Sequence, residues 1–85
     1  MHERGASHKP TAILRGTIVG VRETDHSTEI TVSTDQGKDR RVVFRSGDDV
    51  ALAERAANLS TGAEVTVGYR MDGEETVGAG LAAQS

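Results

Sequence analysis

Catalysis and metal binding need particular side chains at spacings that let them converge, and this chain offers few. Its three histidines are His2, His8 and His26. No two of them stand four residues apart, the spacing that puts two imidazoles on one face of a helix, and a metal site would have to draw Glu23 or Asp25 toward His26. They read as exposed polar groups. The absence of cysteine removes thiolate ligands, a cysteine nucleophile and disulfides together. Asp48-Asp49 suits the start of a helix and Glu74-Glu75 suits a solvated hairpin, so neither pair reads as an acid/base couple. Ser27, Ser33, Ser46 and Ser60 lack an accompanying His-Asp arrangement. Neither G-x-x-x-x-G-K-[ST] nor a strand followed by G-x-G-x-x-G is present, which leaves Gly78-Ala79-Gly80 as a strand or tail feature. The expectation is a protein without catalytic residues, metal or cofactor.

The remaining group is cationic. A net charge of −3 and a pI near 5.5 exclude a strongly basic nucleic-acid binder. A local stripe would have to supply the attraction, and Arg15, Arg41 and Arg45 are the candidates. Arginine suits phosphate because its planar fork donates two parallel hydrogen bonds.

The elements that must position these arginines follow from periodicity. Ala12 to Glu23 is rich in β-branched and aliphatic residues and is interrupted by Gly16 and Gly20, which predicts a long, bent first strand. Thr24 to Thr28 supplies turn formers. Glu29 to Thr34 alternates, with Ile30 and Val32 inward and Thr31 and Ser33 outward. After a turn at Asp35 to Lys38, Asp39 to Arg45 forms a third strand. If Val42 and Phe44 point inward, Arg41, Val43 and Arg45 point outward.

Ser46 to Asp49 then caps a helix whose Leu52, Ala53, Ala56 and Leu59 share one side, ending before Gly62. Ala63 to Met71 is a fourth strand with Val65, Val67, Tyr69 and Met71 on one face. Asp72-Gly73 suggests a type I′ hairpin, with Thr76 to Leu81 returning beside the fourth strand. Residues 1–11 read as a flexible arm, 12–81 as one domain and 82–85 as a frayed tail. One domain is what this length allows, and the core must be aliphatic because the chain has one Tyr, one Phe and no Trp.

The order β-β-β-α-β-β, all-β with one helix, resembles the OB-fold, a five-stranded barrel with a helix between its third and fourth strands. Leu14-Arg15-Gly16-Thr17-Ile18-Val19-Gly20-Val21-Arg22 is similar to the first strand of OB-folds of the tRNA-synthetase type, with Leu14, Gly16 and Ile18 inward and a bulge near Gly20 returning Val21 to the core. The resemblance implies a ligand face around strands two and three, and hence a non-catalytic module contacting RNA or single-stranded DNA through Arg15, Thr31, Ser33, Arg41 and Arg45. Both aromatics have inward parity, so no platform for stacking bases is expected. Asp25, Asp72, Glu74 and Glu75 in the flanking loops would repel phosphate.

The alternative is a protein-interaction or self-assembly module using Ile13, Val19 and Val43, which are outward by parity. No apolar run reaches the length of a membrane span and residues 1–10 do not resemble a secretory signal, so no membrane role and a cytoplasmic location are expected.

Overall fold

The computed structural model describes residues 12–84, and the arm expected over residues 1–11 lies outside them. Five strands and one helix follow in the order β1 (Ala12–Glu23), β2 (Ser27–Thr34), β3 (Asp39–Arg45), α1 (Val50–Ala57), β4 (Glu64–Asp72) and β5 (Glu75–Gln84). The strands close into a barrel in the order β1-β2-β3-β5-β4. All pairings are antiparallel except the closing contact of β3 with β5, where Val43 lies beside Val77. The all-β architecture with one helix is the one the alternation implies.

β1 makes closure possible by serving two partners. Residues 12–17 pair with β4 and residues 16–23 pair with β2, so the strand turns the corner of the barrel at Gly16. A Cβ there would collide with the Ser33 carbonyl oxygen and the Val32 side chain. The register slips between Ile18 and Gly20, leaving Val19 as the bulged residue. This bulge puts Val21 opposite the buried Ile30, yet Val21 remains 36% exposed, so it does not rejoin the core as expected.

The interior is filled from every strand and the helix. Leu14, Ile18, Ile30, Val32, Val42, Phe44, Val65, Val67 and Val77 are buried, and Ala53 and Ala56 bring the helix close to the sheet. Asp49 caps that helix, its carboxylate accepting from the Leu52 N–H at 3.1 Å. The helix packs on β1, β2, β3 and β5, near the turn between β1 and β2. The opposite end of the barrel carries the start of β1, the β2–β3 turn and Tyr69.

Three local expectations are corrected. β5 runs to Gln84, with Ala82 and Ala83 paired to Thr66 and Val65, so residues 82–84 belong to the sheet and are not a frayed tail. The β4–β5 turn is Gly73-Glu74, closed by Asp72 opposite Glu75. Gly73 has φ +66° and no non-glycine residue among those described has a positive φ, which fits a type II′ pattern and excludes the two positive angles of type I′. Met71 shares the parity of Val65 and Val67 but is 52% exposed, because β4 has passed the end of the core by that point.

Candidate functional site

The register of β1, β2 and β3 places the candidate ligand residues on one outer face. Thr17 lies beside Ser33, which lies beside Asp39; in the next row Gly20, Thr31 and Arg41 are neighbours; in the next come Arg22, Glu29 and Val43; Ser27 and Arg45 close the series. Arg15, two residues before Thr17, points outward where β1 leaves β2 for β4. The barrel thus brings Arg15, Thr31, Ser33, Arg41 and Arg45 to one side.

Their surroundings separate them. The Arg41 side chain is 71% exposed and meets Glu29 only at 3.7 Å, a loose surface pair. Arg45 is engaged. Its guanidinium donates to Glu75 and, at 2.8 Å, to Asp72, joining β3 to the β4–β5 hairpin. The hydrogen bonds to Glu75 and then Asp72 hold the Arg45 pKa above its ordinary value against a smaller opposing effect of burial. A shallow depression of about 230 Å³ beside it is lined by Glu29, Glu74, Glu75, Arg41, Val43 and Thr76, so this end of the face is acidic. Arg55 and Arg70 are likewise engaged, the first donating to the Leu81 carbonyl at 2.7 Å and the second to Asp48 at 3.2 Å.

A larger groove, about 490 Å³, opens at the end of the barrel away from the helix. Arg15, Lys38, Arg40 and Tyr69 line it together with Ile13, Leu14, Thr34, Asp35 and Gln36. Arg40 sits opposite Val32 and so has the inward parity of Val42 and Phe44. At the barrel mouth that parity lays its guanidinium over the Tyr69 ring, 5.6 Å from the centroid, a cation–π contact. Tyr69 is half-buried and borders an open groove, so inward parity did not hide it. Lys38 and Arg40 are not among the residues that the sequence marks for a ligand, because strand parity selects the outward positions of β3 and these two fall in the other phase. The available signal was a charged residue in phase with Val42 and Phe44.

Ile13 is 69% exposed and Val19 46%, while Val43 is half-buried. They form no common patch. Ile13 and Val19 are six residues apart on β1, roughly 20 Å at about 3.3 Å per residue, and Val43 lies level with Arg22. Among the described residues no group of three or more His, Asp or Glu side chains could hold a metal ion, and no helix is long and apolar enough to cross a membrane.

No protein-family model matches the sequence, and no curated protein is similar enough to be matched. Among solved structures, a chain from the crystal structure of the S. pombe Stn1–Ten1 complex is similar in fold, with a TM-score of 0.74 over 85% of this chain at 24% identity. The barrel is an OB-fold. The matched region is 56% of that other chain, so the likeness covers about half of its length. At this identity it is a likeness of architecture: a closed five-stranded barrel with its helix between β3 and β4.

Proposed function

We propose that this chain is a small non-catalytic OB-type binding module that contacts single-stranded nucleic acid, RNA or DNA, through Arg15, Thr31, Ser33 and Arg41. The observation that carries this reading is the register that brings these four side chains to the outer face of β1–β2–β3 while leaving Arg41 71% exposed. Arg41 and Arg15 would meet phosphates, and the two hydroxyls would donate to phosphate or sugar oxygens. Arg45 supports the face from beneath the hairpin instead of contacting ligand, since two carboxylates already occupy its guanidinium. With so few cations in a chain of net charge −3, binding would be modest and strongly salt-dependent.

Fluorescence anisotropy with labelled single-stranded DNA and RNA, at low and physiological salt, tests this. The expected result is salt-sensitive binding that weakens in Arg15→Ala and Arg41→Ala. No binding by the wild type at low salt would overturn it.

A second reading, a protein-interaction or self-assembly module, is supported by the similar fold coming from a two-protein complex, with the exposed Ile13 and Val19 acting as two separate contacts and not as one patch. It predicts a mass that rises with concentration and tolerates salt, because apolar burial is not screened. Light scattering over a dilution series distinguishes the two.

A further inference from the structure

The groove at the barrel mouth poses a separate question from the outer face. Arg40 is half-buried there, and among the described residues no carboxylate forms an ion pair with Arg15, Lys38 or Arg40. Burying part of a charge without an opposite charge is costly, and in this protein other half-buried guanidinia have such partners: Arg45 has Asp72 and Glu75, and Arg70 has Asp48. Among the described residues, the contact Arg40 makes in place of an ion pair is with the π face of Tyr69. Among the described lining residues, three cations stand against the single carboxylate of Asp35, which makes the groove locally positive in a chain that is negative as a whole.

The shape is also specified. The Lys38 backbone is fixed at the rim because its carbonyl accepts from both the backbone N–H of Thr34, at 3.0 Å, and the Thr34 hydroxyl, at 2.9 Å, which starts its exposed side chain from a set position. Arg15 enters from β1 on the other side. A volume of about 490 Å³ falls within the range of small-ligand sites, roughly 300–1,000 Å³. Cations at the rim and a guanidinium–aromatic pair on the wall suit a ligand that joins an anion to a flat ring, and the Asp35 carboxylate can accept from a sugar hydroxyl.

We infer that this groove binds one phosphate-bearing nucleotide, with the phosphate between Arg15 and Lys38 and the base against the Arg40–Tyr69 pair. The nucleotide is either free or the terminal unit of a strand. Because Arg15 borders both the groove and the outer face, a strand crossing β1–β2–β3 could end here; the terminal version rests on the nucleic-acid reading and the free version does not.

The test is ¹H–¹⁵N NMR of the full chain at low salt, titrated separately with AMP, inorganic phosphate and a short oligodeoxythymidylate carrying or lacking a terminal phosphate. Shifts at the amides of Arg15, Lys38, Arg40 and Tyr69 with AMP, larger than with inorganic phosphate, support a free-nucleotide site. The same shifts only with the phosphorylated oligonucleotide support a strand-end site. In either case Lys38→Glu, a charge reversal on an exposed turn, should weaken the ligand about tenfold or more while the rest of the spectrum stays in place.

Equal shifts with inorganic phosphate and AMP, without preference for any nucleotide, would overturn nucleotide recognition. No shifts at these amides with any probe would overturn the site. Outer-face amides such as Thr31 and Arg41 report separately: their response to oligonucleotide without the groove would leave the proposed function standing alone, and the converse would leave only the groove.

Discussion

At the scale of single residues, the distinction that matters is between cations already engaged inside the protein and cations still facing water. Arg41 and Arg45 are four residues apart with the same outward parity, and nothing local tells them apart. The difference comes from Asp72 and Glu75, 27 and 30 residues further along the chain, which the β4–β5 hairpin swings against Arg45. Arg45→Ala should therefore lower the thermal midpoint by loosening that hairpin while leaving oligonucleotide affinity nearly unchanged. Arg41→Ala should do the reverse, and anisotropy beside a thermal melt of each variant reads both. A large affinity loss in Arg45→Ala with an unchanged melt would show that its guanidinium leaves the carboxylates to meet ligand.

At the scale of elements, most boundaries follow from alternation and capping, which are properties of short segments. β3 begins and ends where the run of charged and β-branched residues from Asp39 to Arg45 does. The helix begins after Asp49 because a carboxylate there satisfies the Leu52 N–H, and Asp49→Ala should cost about 1 kcal/mol of stability by urea unfolding. β5 was less legible because its glycines and alanines lack the β-branched character that marks a strand. Its composition has a tertiary cause. A Cβ at Gly78 would overlap the Phe44 ring, so the strand must be thin where the one large core aromatic lies against it. Gly78→Ala should destabilise the barrel by about 1–3 kcal/mol, read as a lower urea midpoint at unchanged slope. The extension of β5 through Ala82 and Ala83 rests on pairing with β4.

At the scale of the whole molecule, net charge is a poor guide to where an anion would bind. The carboxylates gather at the β4–β5 hairpin and beside the outer end of β3, while Arg15, Lys38 and Arg40 meet at the mouth opposite the helix. If a strand placed one phosphate between Arg15 and Lys38 and a second on Arg41, log K should fall against log salt with a slope of about −1.4, at roughly 0.7 per phosphate; association through Ile13 and Val19 would give a slope near zero. Binding measured across a salt series separates them. From the chain alone came the element order, the aliphatic core, the outward parity of Arg15, Thr31, Ser33 and Arg41, and with them the OB-type barrel, because periodicity and capping act between residues a few positions apart. Tertiary structure decided which arginines are engaged, how far Tyr69 is covered, and that Arg15, Lys38, Arg40 and Tyr69 share a groove. Those outcomes depend on barrel closure, which joins β1 to β4 and β3 to β5 across long separations in sequence that no local pattern encodes.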